Sequence, residues 1–198
     1  METTEVDPKD PITLRVDVID MGLLHLLETK YMVLIEQREN DIMIELYKKQ
    51  PFKTMRKIER IFVHCTASNQ SWGVKELWAE FKAKGWKNPG YHYVITADGG
   101  THQMLAVEEV SNGVQGYNST SINIAYVGGI SKVNGKMVAT DNRTPEQKAS
   151  LRKLLVLLRQ KFPNAKIMGH RSIWGENTPS KWQKSCPCFN AIAEYADI

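Results

Sequence analysis

From residue 60 onward, short apolar segments alternate with segments of helical spacing, and this alternation constrains the fold more than any other feature. Residues 60–66 are apolar on both faces, which is typical of a strand inside a sheet. Residues 91–96 and 101–105 flank a DGG turn and predict a hairpin. Strands interleaved with helices predict an α/β fold, with a mixed central β-sheet flanked by helices. The other predicted elements are helices at 74–84 and from 145, strands at 121–128 and 165–169, and a last helix near 190–196.

The clearest single element is the long helix that begins after Thr144. Thr144 and Gln147 form a capping box, and Pro145 occupies the first helical position. Apolar residues then recur on one stripe, which gives the helix a face that must be buried. The residues of this stripe are Leu151, Leu154, Leu155, Leu158 and Phe162.

Residues 1–57 differ from the rest of the chain in charge and pattern. They carry 9 basic and 11 acidic side chains, a net charge of −2, whereas residues 58–198 carry 17 and 11, a net charge of +6. Residues 12–19 alternate as a strand does, and residues 23–49 fit either a helix or two hairpin arms, with the composition favouring helix. We therefore expect an N-terminal extension over 1–57, to which the sequence assigns no role, and a folded domain over 58–198.

The composition excludes several classes of protein. Hydrophobic residues make up 42% and charged residues 24%, which is typical of a globular chain and not of a disordered or collagen-like one. A net charge of +4 is small for a dedicated nucleic-acid binder, so no nucleic-acid partner is expected. No run of 18 apolar residues exists, so no membrane segment is expected. The acidic start lacks the basic region of a signal peptide, which predicts synthesis in the cytoplasm.

Two histidines lie at equivalent places in the predicted sheet. His64 is near the carboxyl end of the strand over 60–66, and His170 directly follows the strand over 165–169. Ligands gather at the carboxyl edge of open α/β sheets, so these two imidazoles can converge. Cys186 and Cys188 follow in a polar loop, and either thiolate completes a three-ligand zinc site with a fourth position open to water. Spacing alone does not choose between the two cysteines.

The same residues also have structural interpretations. A histidine at a strand end is more often a hydrogen-bonded structural residue than a metal ligand. Three cysteines are an odd number and do not form a disulfide framework. Cys65 is adjacent to His64 on its strand and therefore points to the opposite face, where we expect a buried thiol.

Seven short motifs, in order along the chain, resemble the zinc-dependent N-acetylmuramoyl-L-alanine amidases. This family comprises bacteriophage lysozyme-type amidases and peptidoglycan recognition proteins. Each motif is weak alone, but together they are highly specific and cover about residues 58–196. The motifs are IFVHCTAS at 61–68, GYHYVI at 90–95, GYNS at 116–119 with SI at 121–122, VGGI at 127–130, TPEQ at 144–147, GHR at 169–171 and KSCPCF at 184–189.

The resemblance implies a reaction and assigns residues to it. It makes His64, His170 and Cys186 the zinc ligands. It also makes Tyr91 the tyrosine beside the metal and Lys184 the catalytic lysine. The implied reaction is zinc-dependent hydrolysis of the amide bond between N-acetylmuramic acid and L-alanine, with bacterial peptidoglycan as the substrate.

Further residues concern the substrate groove and the surroundings of the ligands. Trp72, Asn118 and Trp174 are candidates for substrate binding, because aromatic rings suit sugar faces and amides suit peptide groups. Ser172 and Asn190 stand where many relatives have aspartate. We therefore expect the side chains that orient the zinc ligands to differ from those of such relatives.

A wall hydrolase without a signal peptide needs another route out of the cytoplasm. The resemblance therefore implies a phage or prophage endolysin that acts on the cell wall after release. Two alternatives belong to other classes: a peptidoglycan-binding module without activity, and a regulator that binds an intracellular partner such as a polymerase. The presence of Cys186 argues against the first, and no residue argues for the second.

Overall fold

The computed structural model describes residues 56–198. The strand expected at 12–19 and the helix or hairpin expected at 23–49 lie outside the described residues. The boundary expected at residue 58 also stays a prediction, because only two described residues precede it.

A five-stranded mixed sheet forms the centre of the domain. Its strands are β1 (Arg60–Cys65), β2 (Tyr93–Ile95), β3 (Thr101–Gln103), β4 (Ser121–Tyr126) and β7 (Lys166–Gly169), in the order β3-β2-β4-β1-β7. β1 runs parallel to both β4 and β7, β2 is parallel to β4, and only β3 is antiparallel. The predicted α/β fold with a mixed sheet is confirmed, and β1 is an interior strand as its two apolar faces indicate.

Helices cover both faces of the sheet. Helix α1 (Val74–Ala83) buries Leu77 and Phe81 against one face. Helix α2 (Pro145–Lys161) buries its leucine stripe against the other face, together with Ile61, Val63 and Cys65 of β1. Because neighbouring residues of a strand point to opposite faces, Phe62 and His64 face the α1 side. The prediction that Cys65 is a buried thiol on the face opposite His64 is confirmed.

The capping box of the long helix forms as the sequence predicts. The Thr144 hydroxyl accepts a hydrogen bond from the Gln147 amide at 3.0 Å, and the Gln147 side chain accepts one from the Thr144 amide at 3.1 Å. Gln147 is itself fully buried. Its side-chain amide compensates for the lost contact with water by donating to the carbonyls of Ile95 and Val127. The cap therefore also attaches the start of α2 to two strands of the sheet.

One hairpin was not predicted. Strands β5 (Ile130–Val133) and β6 (Lys136–Ala139) pair antiparallel outside the main sheet, and most of their side chains are exposed. Without a buried face, the hairpin lacks the strict alternation by which strands are recognised. The sequence did contain a usable signal, the pair Asn134-Gly135, which is typical of a tight hairpin turn. In the structure both residues have the positive φ that such a turn requires.

An ion-pair cluster around the buried Arg143 attaches the C-terminal segment to the domain. The Arg143 guanidinium is buried and forms ion pairs with Asp141 and Glu194, both at 2.8 Å. Its charge also lies 3.3 Å from the centre of the Phe189 ring. Helix α3 (Ala191–Glu194) follows directly, capped by the Asn190 side chain. The segment that carries the candidate cysteine ligand is therefore held from its C-terminal side.

We expect Gly129→Ala to destabilise the domain by about 3 kcal/mol. The residue has φ of +91°, and an added Cβ would lie 2.5 Å from the Cys65 sulfur, so backbone strain and overpacking add. Gly135→Ala is the matched control, because that glycine also has positive φ but no atom within 4 Å of the new Cβ. Its expected cost is about 1 kcal/mol. Denaturant unfolding measures both, and equal costs would contradict the packing argument.

Candidate metal centre

Parallel strand pairing brings the two histidines together. β1 and β7 are neighbours, with Val63 opposite Gly169, so the residues that follow, His64 and His170, lie side by side at the carboxyl edge. Their ring centres are 5.0 Å apart. The backbone then returns to the same edge, where the Arg171 amide donates to the Cys186 carbonyl at 2.8 Å. The three residues predicted as ligands therefore meet at one place.

The geometry of these three side chains fits a single zinc ion. The ligand atoms of His64, His170 and Cys186 all lie within 4.8 Å of one another. The Cys186 sulfur is 3.7 Å from Nδ1 of His64. A tetrahedral zinc ion with bonds of about 2.1 Å to nitrogen and 2.3 Å to sulfur separates such ligands by about 3.6 Å. Two nitrogens and one sulfur are also the donor types that zinc prefers.

Burial keeps both imidazoles neutral, as metal ligands must be. His64 is 2% exposed and His170 is 8% exposed. Burial, with a smaller contribution from the positive charge of Lys184, lowers the pKa of His64 to about 4 and that of His170 to about 3. Each ring therefore has one nitrogen with a free lone pair at neutral pH and needs to lose no proton before that nitrogen binds a metal.

We expect acid to destabilise the metal-free protein through its buried histidines. Burial also lowers the pKa of His92 to about 4. A histidine in the unfolded chain titrates near 6.5, so the unfolded state binds more protons as the pH falls below that value. The stabilising contribution is complete above pH 6.5 and is lost towards pH 4. Each of His64, His92 and His170 should lower the free energy of unfolding by about 2 kcal/mol between pH 7 and pH 5. Urea unfolding of metal-free protein at the two pH values measures this, and equal stability would contradict it.

Cys186 and Cys188, which spacing alone does not distinguish as candidate ligands, have different surroundings in the structure. The Cys186 sulfur accepts a hydrogen bond from the Cys65 amide at 3.3 Å and faces His64. Cys188 has a φ of +75°, and its sulfur lies 3.8 Å from the Cys65 sulfur and 3.3 Å from the Gly129 carbonyl oxygen. Both cysteines line the cavity, but the Cys188 sulfur packs against Cys65 and Gly129, whereas the Cys186 sulfur faces His64.

Tyr91 and Lys184 lie beside the three candidate ligand side chains. Both line the cavity of about 420 Å³ that includes His64, His170 and Cys186. The Tyr91 ring centre is 5.3 Å from that of His64, and burial raises the pKa of its hydroxyl well above 10. Lys184 is exposed, and its charge reaches both histidines. A neutral hydroxyl donor and an ammonium group thus face the same space, while their catalytic roles stay predictions.

The three residues predicted for substrate binding have different surroundings. Trp72 lines the cavity and also borders a shallower groove with residues of the β2–β3 turn. Trp174 stacks on His170, with ring centres 5.4 Å apart, but it is not part of the cavity wall. Asn118 accepts a hydrogen bond from the Val114 amide at 2.7 Å and is likewise outside the wall. Their roles towards substrate stay predictions.

The loop after His170 is held by one carboxylate. Glu176 accepts hydrogen bonds from Arg171 at 2.8 Å and from the Ser172 hydroxyl at 2.6 Å. Arg171 stacks on Trp182, whose indole nitrogen donates to the Gly175 carbonyl at 2.7 Å. Ser172 is therefore tied to a carboxylate from its own loop. This pairing gives residues 174–182 a fixed shape beside the centre.

Sequence reasoning missed the polar groups behind His64. Asn123 and Ser111 are fully buried, and the Asn123 amide contacts both the His64 ring and the Ser111 hydroxyl. A usable signal was the position of Asn123 inside an otherwise apolar strand, because a buried amide must find hydrogen-bond partners. The α1 side of the cavity, including Glu80 and Trp86, was also missed.

The family model and the relatives that match this chain agree with one another, since they are amidases and phage endolysins. The family model described as N-acetylmuramoyl-L-alanine amidase matches residues 54–189. The endolysin of Klebsiella phage KP32 is 35% identical over 144 residues, which are 72% of this chain and 88% of that protein. The endolysin of Escherichia phage T7 is 38% identical over 141 residues, 70% of this chain and 86% of that protein.

Solved structures share the fold at lower identity. The N-acetylmuramoyl-L-alanine amidase LysC from Clostridium intestinale superposes with a TM-score of 0.54 at 24% identity, covering 71% of this chain and 83% of that one. Drosophila PGRP-LB superposes with a TM-score of 0.54 at 17% identity, covering 72% and 82%. These likenesses confirm the architecture expected from the motifs.

Proposed function

Because this chain belongs to the N-acetylmuramoyl-L-alanine amidase family, we propose that it performs the family reaction with a zinc ion held by His64, His170 and Cys186. The chain is a peptidoglycan amidase of the phage endolysin type, and it hydrolyses the amide bond between N-acetylmuramic acid and L-alanine. The observation that carries the proposal is the convergence of two neutral imidazoles and one thiol at the carboxyl edge of the sheet.

Three protein ligands leave one coordination position for water or substrate, as hydrolytic zinc sites require. When bound, zinc supplies a Lewis acid for the amide carbonyl and lowers the pKa of its water ligand to about 7. A module that only binds peptidoglycan has no need for such a ligand set, so the ligands favour catalysis over binding alone.

Lys184 stabilises the negative charge that develops on the carbonyl oxygen during attack. Its position on the cavity wall, two residues before Cys186, supports this role. The charge also reaches the ligand histidines, since it lowers the pKa of both. A cation already held beside the carbonyl oxygen stabilises the oxyanion of the transition state more than the neutral amide of the substrate. This difference accelerates the chemical step.

Tyr91 orients the attacking water through its hydroxyl. Burial raises the pKa of this hydroxyl, so it keeps its proton at neutral pH and serves as a hydrogen-bond donor. Its ring is held against His64 at 5.3 Å and against Phe81 at 5.6 Å, so two contacts fix its direction. Trp72, Trp174 and Asn118 are proposed to contact the substrate, with Trp72 placed best because it lines the cavity.

The substrate places the site of action at the bacterial cell wall. Among residues 56–198, no helix combines the length and the apolar character that crossing a bilayer requires. We propose that the chain is made in the cytoplasm and reaches the wall after release, a route that fits its similarity to phage endolysins.

Digestion of purified peptidoglycan, followed by mass spectrometry, tests this function. The expected products are glycan strands with unsubstituted muramic acid and stem peptides that begin with a free L-alanine amine. The preparation should contain about one zinc per chain, and metal removal should stop product formation. Cleavage at another bond, or unchanged turnover without metal, would overturn the proposal.

A further inference from the structure

A chain of buried hydrogen bonds runs from His64 into the interior of the domain. Nε2 of His64 lies 2.9 Å from Oδ1 of Asn123, and Nδ2 of Asn123 lies 2.8 Å from the Ser111 hydroxyl. That hydroxyl lies 3.1 Å from Nδ1 of His92. Asn123, Ser111 and His92 are each 0% exposed, so water does not complete this chain from outside. We call the three residues the His64 relay.

Two backbone groups fix the proton position on His92. Nε2 of His92 lies 3.1 Å from the Glu109 carbonyl oxygen, which can only accept, so Nε2 carries the proton. Nδ1 of His92 accepts the backbone N–H of Asn123 at 3.0 Å, so it carries none. The ring is neutral, because burial and the nearby Arg56 charge lower the pKa of His92 to about 4. Nη2 of Arg56 lies 3.3 Å from Nε2, but its hydrogen bond goes to the Val107 carbonyl at 2.6 Å, which leaves the Nε2 proton to the Glu109 carbonyl.

The fixed ring of His92 determines the direction of each remaining hydrogen bond. Because Nδ1 of His92 is an acceptor, the Ser111 hydroxyl must donate to it. The Ser111 oxygen then accepts from the side-chain amide of Asn123, which places the amide nitrogen towards Ser111. The amide oxygen of Asn123 therefore faces His64 and requires a proton on Nε2 of that ring. The free lone pair of His64 is left on Nδ1, the atom 3.7 Å from the Cys186 sulfur.

Close packing keeps the Asn123 amide in place. A Cβ added to Gly113 would overlap this amide, so the backbone there approaches as closely as a glycine allows. Asn123 also lies on β4 opposite Phe62, on the same sheet face as His64. Position and direction of the amide are thus both set by the fold.

We propose that Ser111, Asn123 and His92 are positioning residues that hold His64 in the tautomer with Nδ1 free for the metal. This inference rests on the proposed zinc function. Without the relay, the neutral ring would divide between two tautomers, and only one presents a lone pair to the ion. Partners of this kind commonly change metal affinity by about 10- to 100-fold.

A matched pair of serine variants tests the relay in the full-length protein. Ser111→Ala removes the hydroxyl that distinguishes the two ends of the Asn123 amide. Ser121→Ala is the control, because Ser121 is equally buried and donates one hydrogen bond to the Tyr117 carbonyl outside the relay. Competition with a zinc chelator should give a zinc Kd about tenfold higher for Ser111→Ala and within about twofold of wild type for Ser121→Ala. Equal zinc affinities in the two variants would overturn the proposal.

Nitrogen NMR of the histidine rings reads the tautomer without any metal. In metal-free wild type and Ser121→Ala, His64 should show a protonated Nε2 and an unprotonated Nδ1, whereas Ser111→Ala should show a mixture. The other tautomer in wild type, or an unchanged spectrum in Ser111→Ala, would overturn the relay. The two proposals fail differently: absence of zinc binding by wild type refutes the zinc site, while the metal-free spectrum judges the relay itself.

Discussion

Replacing Cys186 with alanine is expected to remove bound zinc and to lower kcat/KM on peptidoglycan by at least about 10³-fold. The Cys186 sulfur is one of the three candidate ligands found among residues 56–198, and zinc is proposed both to polarise the amide and to activate water. Loss of a single oxyanion donor already costs about 10²–10³ in rate, so loss of the metal should cost more. Zinc content and amidase rate are measured on the same preparation.

Cys188→Ala is the matched control for this prediction. The same change is made two residues away, at a sulfur that contacts Cys65 and the Gly129 carbonyl and not His64. Its zinc content and rate should stay within about threefold of wild type. If Cys188→Ala were the variant that lost zinc, the ligand assignment would be wrong.

Lys184→Ala is expected to lower kcat by about 10²–10³ while changing KM little. The ammonium group acts on charge that forms only in the transition state, so ground-state binding should be largely unaffected. Zinc content should be unchanged, because Lys184 is not a ligand.

Lys181→Ala controls for the loss of a positive charge from the same loop. Lys181 is also exposed but is not part of the cavity wall. Its kcat should remain near that of wild type. A comparable loss in both variants would indicate a general electrostatic effect on the anionic wall instead of catalysis by Lys184.

The sequence predicted most of the sheet because its strands and long helix follow strong local rules. The double-sided apolar pattern of 60–66 fits a buried interior strand, and the capping box at Thr144 places the start of α2. Element ends were less well placed: the strand expected at 91–96 is observed as Tyr93–Ile95. The exposed hairpin Ile130–Ala139 was missed because burial, which creates the pattern, is absent there.

The candidate site could be predicted only in part from spacing. Parallel pairing explains why His64 and His170 converge, and this follows from their places at strand ends. The choice of Cys186 over Cys188 depends on backbone geometry at residues 186–188, which spacing does not encode. The contact between Asn123 and His64 joins neighbouring strands 59 residues apart, so it requires the strand register.

X-ray absorption at the zinc edge of the purified, full-length protein tests the central claim most directly. The account predicts one zinc per chain with one sulfur ligand at about 2.3 Å, two imidazole nitrogens at about 2.1 Å, and one further light atom from water. A zinc ion with two or more sulfur ligands, or with four protein ligands and no water, would contradict it.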